Sequence, residues 1–320
     1  MSNKPNWQEK AESTSNFGIS IVIRCYKYFG KNFSNLITWL IAIYVWVFNK
    51  NIRNISKNYL STLKKYANEK EISLPKLSSL KHIHRFCNNT LDQILSWQSL
   101  INLKDIKEID NAHKRFVSQC EKKTGTIIIG THIGNIEMLR AVTTHLNMNN
   151  KLNIFIWTAN NQKFMNYLKK IDPHSNLNLI PSNNIDPSTI FTLEEKIQNG
   201  EILVILGDRL TSTNTKTVEV NFLGRKAIFP QGPWILANLL KAPVFTAYNI
   251  YKNNCYESYF FEWGPISLKK RYNREEEIKS YVQKFANEIE KIIFEAPYDW
   301  FNFYNFWDQL PDVINEGKTK

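Results

Sequence analysis

The run GTIIIGTHIGNIEMLRA, residues 125–141, decides how the chain is read. Its first part is short, apolar and β-branched, the pattern of a strand buried on both faces. The run breaks at Gly130-Thr131-His132, then restarts with helical periodicity, with Asn135 placed as an N-cap. A buried strand that feeds straight into a helix is the opening of a parallel α/β unit.

The same alternation continues downstream. LNIFIWTA reads as a second strand and NQKFMNYLKKI as a second helix. NLNLIPS reads as a third strand, and DPSTIFTLEEKIQNG as a third helix with Pro187 near its start and Gly200 as its C-cap. EILVILGDR is a fourth strand, TVEVNFLGRKAIF an excursion and PQGPWILANLLKA a helix. PVFTAYNIYK and CYESYFFEWG are strands, and REEEIKSYVQKFANEIEKIIFEA is a long amphipathic helix. The predicted fold is α/β, a mostly parallel central sheet flanked by helices, preceded by a helical, membrane-associated N-terminal region. The expected division is a polar tail over 1–15, the helical region over 16–70 and the α/β domain over 71–320. The stretch 79–101, with Ile83, Phe86, Leu91, Ile94 and Leu95 at helical spacing, adds another helix.

The membrane expectation rests on NLITWLIAIYVWVF, residues 35–48, which carries no charge. As a helix, the part from Leu36 would cover about 20 Å, short of the roughly 30 Å hydrocarbon core. Lys27 and Lys31 precede it, and Lys50, Arg53 and Lys57 follow. Trp39, Tyr44 and Trp46 are amphipathic aromatics suited to a headgroup region. The stretch is either a core helix or a helix dipped into one leaflet, and the flanking cations favour the leaflet. No A-x-A-like cleavage site follows, which argues against a removed signal peptide. The aromatic PYDWFNFYNFW near the C-terminus is either packing or a membrane-facing wall.

Composition narrows the partners. The 320 residues are 43% hydrophobic, enough for a packed core. Cys25, Cys87, Cys120 and Cys255 are far apart with no CxxC, so neither a disulfide framework nor a zinc site is expected. The net charge is +12, and residues 1–70 hold eleven Lys/Arg against three Glu. A basic N-terminal end favours an anionic membrane surface. Nucleic acid is the other anionic candidate, but no nucleic-acid-binding motif is present.

The motifs point to one edge of the sheet. There is no G-x-S-x-G, no H-E-x-x-H and no G-x-G-x-x-G, and the Gly125/Gly130 spacing lacks the Lys-Ser/Thr of a phosphate loop. His132 stands where a parallel strand ends, the edge at which α/β sheets bind ligands. Glu137 falls in the first turn of the next helix, where a carboxylate is favoured. Together they read as a general base and the acid that orients it, with Gly134 leaving room for a substrate. The plain alternative is a turn-capping His and a Glu paired with Arg140. At the end of the fourth strand, Arg209 would hold a phosphate or carboxylate, and Asp208 would orient it or bind an amine or hydroxyl. The plain alternative there is a structural turn pair. Arg225 and Lys226, with the helix opening near Gly232, form a third candidate anion site.

These residues resemble a known family. THIGNIE is similar to the H-x4-D/E motif of the lysophospholipid acyltransferase superfamily. It is closer still to the H-F-G-N-W-E form of the late lipid A acyltransferases, matching at His132, Gly134, Asn135 and Glu137, with Ile136 for the usual Trp. The resemblance extends from about residue 17 to the end through the basic apolar N-terminus, LDQIL at 91–95 and FLG…A…P.G…LA at 222–237. GDR departs from the Asp-Gln type motif of the lipid A enzymes and looks more like relatives in aryl-polyene or other specialised lipid pathways. The resemblance implies a bacterial inner-membrane O-acyltransferase at the cytoplasmic face. It would move a fatty acyl chain from acyl-carrier protein or acyl-CoA to a lipid hydroxyl, with His132 as base, Glu137 orienting it, and Gly134, Asn135, Asp208, Arg209, Arg225 and Gly232 at the substrates. It implies no metal and no resident cofactor. Left open are a glycerol-phosphate or lysophospholipid acceptor and, in another class, a non-catalytic basic membrane- or nucleic-acid-binding protein.

Overall fold

The computed structural model describes residues 16–97, 106–108, 112–122, 124–136, 138–139, 150–156, 177–181, 186–210, 215–269 and 273–309. The chain packs as two compact units that interleave along the sequence. One comprises 1–95, 219–228 and 283–320, the other 96–218 and 229–282.

The second unit is built on a seven-stranded sheet. Its strands are β1 (Ile106–Glu108), β2 (Thr126–Gly130), β3 (Leu152–Ile156), β4 (Leu177–Pro181), β5 (Ile202–Leu206), β8 (Pro243–Lys252) and β9 (Cys255–Pro265), after a separate ribbon of β6 (Thr217–Phe222) and β7 (Arg225–Pro230). The order across the sheet is β1-β9-β8-β2-β5-β3-β4. The pairs β2–β5, β2–β8, β3–β5, β3–β4 and β1–β9 are parallel, and β8–β9 is an antiparallel hairpin. The expected mostly parallel α/β sheet is therefore present.

The central strands are apolar on both faces because both faces are covered. Ile127, Ile128 and Ile129 have no solvent exposure. On one face Ile128, Val204, Phe245 and Phe260 form the core with Phe116, from helix α4 (Ala112–Glu121). Phe116 stacks on Phe260 at 4.8 Å and meets Phe245 edge-on at 5.5 Å, geometries that add to the burial itself. Helix α5 (Pro187–Gln198) starts as the sequence predicts: Asp186 caps it by accepting from the Thr189 N–H at 2.7 Å, with Pro187 in the first turn. Its C-cap is Asn199, one residue before the expected Gly200, which follows in the left-handed region. Helix α6 (Gly232–Leu240) precedes β8. The helix expected from Asn135 begins as predicted, with Met138 and Leu139 helical. Its remainder, and the NQKFMNYLKKI helix, lie outside the described residues.

The first unit contains α1 (Asn16–Phe48), kinked at Gly30 with φ 74°, together with α2 (Lys50–Glu69) and α3 (Ser79–Trp97). The α7 helix (Arg274–Glu295) contributes its C-terminal part, followed by a short 3-10 turn at Phe306–Gln309. Tyr59, Ile55, Leu60 and Leu63 form the buried face of α2. The aromatic C-terminal segment is packing: Trp300 and Trp307 are buried, and Phe222 meets Trp300 edge-on at 5.4 Å. His82 is fixed in its neutral form, its Nε2–H donating to the Trp300 carbonyl at 2.9 Å and its Nδ1 accepting from Ser56 Oγ at 3.0 Å. Arg85 and Asp299 make a buried ion pair at 2.7 Å. Among the described residues no single helix is long and apolar enough to cross a membrane; only the bent pair 32–48 and 50–69 meets length and composition together.

Candidate active site

Strand register builds the site. β2 and β5 are parallel neighbours with Gly130 opposite Leu206, and the Gly207 N–H extends the ladder by donating to the Gly130 carbonyl at 2.9 Å. Two residues past each strand end, His132 and Asp208 are therefore side by side at the carboxyl edge. Asp208 holds the histidine twice. Its Oδ2 accepts the His132 backbone N–H at 3.0 Å, and its Oδ1 meets Nδ1 at 2.7 Å. Such a contact keeps the ring proton on Nδ1 and leaves the Nε2 lone pair available as a base.

The surroundings suit that task. The Asp208 side chain is 1% exposed and that of His132 26% exposed, so the ring is sheltered yet reachable. Burial lowers the His132 pKa below its ordinary 6.5, the Arg209 charge lowers it further, and Asp208 pulls the other way. The ring is thus neutral at neutral pH, the form a base needs. Burial works against the Asp208 charge, but His132, the hydrogen bonds from it and Arg209 outweigh that, and its pKa is lowered: it is a carboxylate.

The loop after His132 is pinned to the neighbouring strand. Gly134 pairs with Asn249 of β8, and the Asn135 N–H donates to the Asn249 carbonyl at 2.9 Å. Gly134 has φ 64°, and a Cβ there would sit 2.0 Å from the Asn249 carbonyl oxygen. Only glycine fits this close approach. Asn249 is itself held by Ser258 across the hairpin.

The sequence candidates fall as follows. His132, Gly134, Asn135, Asp208 and Arg209 are brought to one edge of the second unit. Glu137, the expected partner of the ring, lies outside the described residues; Asp208, which the sequence reading placed at the substrate, meets the ring at Nδ1. Arg225 belongs to the first unit, with its guanidinium 4.9 Å over the Trp307 ring. Gly232 opens α6 in the second unit, with open space where a Cβ would be. Asn249 and Ser258 are not singled out by the sequence: each is one of several polar residues in its strand, beside Thr246 on β8 and Glu257 and Glu262 on β9, and only the hairpin register brings the two together.

The family model for the bacterial lipid A biosynthesis acyltransferases matches residues 90–309, more than half of the chain and the whole of this site. The chain belongs to that family. The match begins later than the resemblance from about residue 17. No curated protein matches the chain. Membership makes the protein an acyltransferase acting on lipid, with an acyl donor and a lipid acceptor as its substrates.

Proposed function

We propose that this acyltransferase moves a fatty acyl chain from acyl-carrier protein or acyl-CoA to a hydroxyl of a lipid A precursor or a related glycolipid or aryl-polyene-type lipid. His132 Nε2 takes the acceptor's hydroxyl proton as the oxygen attacks the thioester carbonyl. The C–O ester bond forms, the C–S bond breaks, and the departing thiolate takes the proton back from the imidazolium. Asp208 holds the tautomer and stabilises that imidazolium; general-base help of this kind supplies about 10²–10⁴-fold. Glu137 is proposed as a second carboxylate at the mouth, and Arg209 as the contact for phosphate on donor or acceptor. Direct attack needs no metal and no resident cofactor, since the thioester carries the activated acyl group.

The observation that supports this reading best is the 2.7 Å contact of His132 Nδ1 with a buried carboxylate. The place of work is proposed to be the cytoplasmic face of the bacterial inner membrane, where the lipid acceptor resides. The test is transfer from labelled acyl-carrier protein and from acyl-CoA to a lipid A precursor, read by mass spectrometry. A glycerol-phosphate or lysophospholipid acceptor is the second reading; an altered phospholipid pool with intact lipid A in cells lacking the gene would favour it.

A further inference from the structure

Helix α1 is built inside out. From Asn32 onward its buried stripe is Ser34, Thr38 and Ala42, spaced four apart and at most 3% exposed. Its outward face is apolar: Leu36, Leu40, Tyr44 and Phe48 are 55%, 61%, 64% and 72% exposed. The adjoining α2 has the ordinary arrangement, apolar inward and polar outward. A helix that hides its hydroxyls and displays its large apolar side chains is matched to a non-aqueous solvent.

The inward face shows how α1 is held. Thr38 Oγ1 donates to the Asn88 side chain at 2.5 Å, Trp39 stacks on His84 at 3.8 Å, and Trp46 Nε1 donates to Ser79 at 2.9 Å. All three partners are on α3, so α1 lies along α3 from about Thr38 to Trp46. Beside those contacts α3 carries Lys81, Arg85 and Asp92, with Lys81 exposed. Carrying the exposed Lys81, with the paired Arg85 and Asp92, into hydrocarbon beside α1 would be costly. The elbow is built for an interface too. Arg53 donates to the carbonyls of Trp46 and Val47 at 2.6 and 3.2 Å and lies 5.3 Å over the Trp46 ring, satisfying carbonyls at the end of α1. Lys50 and Lys57 flank it on α2, which departs at 97°.

We propose that residues 32–48 lie in the plane of an anionic membrane, sunk into one leaflet by their outward face, and do not span it. The apolar face takes the acyl-chain boundary and the cations of α2 take the headgroup phosphates. The inference rests on the membrane placement proposed above and settles on a topology for it.

The test uses the full chain with single added cysteines, Phe33→Cys, Leu40→Cys and Val47→Cys, each labelled with an environment-sensitive fluorophore. They are placed on vesicles of phosphatidylglycerol and phosphatidylethanolamine carrying brominated lipids of graded depth. Asn58→Cys, on the exposed face of α2, is the control, and the parent chain's own cysteines set the background. The expected result is quenching at one shared shallow depth for 33, 40 and 47, none at 58, and vesicle binding weakened roughly tenfold or more when the lipid is made neutral. Deep quenching at 40 with shallow quenching at 33 and 47 would mean a spanning helix and overturn the proposal. So would the absence of quenching at all three. Acyl transfer measured in the same vesicles separates the two readings: quenching without transfer removes the catalytic one, transfer without quenching removes this one.

Discussion

At the scale of the residue, the proposed site is one imidazole with a buried carboxylate 2.7 Å from its Nδ1. Asp208→Asn keeps the shape but loses the negative charge that fixes the tautomer, so kcat should fall by about 10²–10⁴-fold while the protein folds normally. His132→Ala should fall at least as far, and the double variant no further than the worse single one; additive losses in acyl transfer would show that the two act separately. Glu137→Gln should cost less than Asp208→Asn in the same assay, because Nδ1 already has its acceptor. The pH profile carries a sign. The base must be neutral, so the acid limb of kcat/KM belongs below the ordinary histidine value of 6.5. Arg209→Gln removes a cation that depresses the His132 pKa, and the limb should move to higher pH. An unmoved limb with a raised KM would confine Arg209 to the substrate. His132 was legible in the sequence, because a buried β-branched run stopping at a polar ring is visible in one dimension. The part played by Asp208 was not, because it depends on which strands are neighbours, and no local pattern carries that order.

At the scale of the element, β2 and its loop are the rigid support. Gly134→Ala forces a Cβ into the Asn249 carbonyl and a left-handed backbone onto an L residue. It should lower stability by roughly 2 kcal/mol or more and lose most transfer, where His132→Ala loses transfer alone; urea unfolding beside the assay distinguishes them. Ile128→Ala, under Phe116 and Phe245, should cost about 2–5 kcal/mol without touching the site. The strands and the capped α5 were readable from β-branched runs, Asp186 and Pro187. The ribbon of β6 and β7 reads in one dimension only as an excursion, because it interrupts the alternation of strand and helix and joins no strand of the central sheet. The inward stripe of α1 was hidden for another reason: an uncharged run looks alike whether protein or lipid is its solvent.

At the scale of the whole molecule, acid sensitivity is built into the first unit. Burial pushes His82 down to about 4, with the hydrogen bond to Trp300 opposing only in part. In the unfolded chain it titrates near 6.5, so protons favour unfolding. The stability is fully present above pH 6.5 and is lost as pH falls towards 4, by roughly 3 kcal/mol at the limit. Thermal unfolding followed from pH 7.5 to 4.5 should show this loss, and His82→Gln should flatten the slope although it starts from a lower Tm.

One consequence of the strand order concerns the chain while it is being made. β5 enters the sheet between β2 and β3, two strands synthesised before it, and His132 waits 76 residues for its acid. A ribosome-bound or prematurely ended chain that stops short of β5 carries the imidazole without its counterpart.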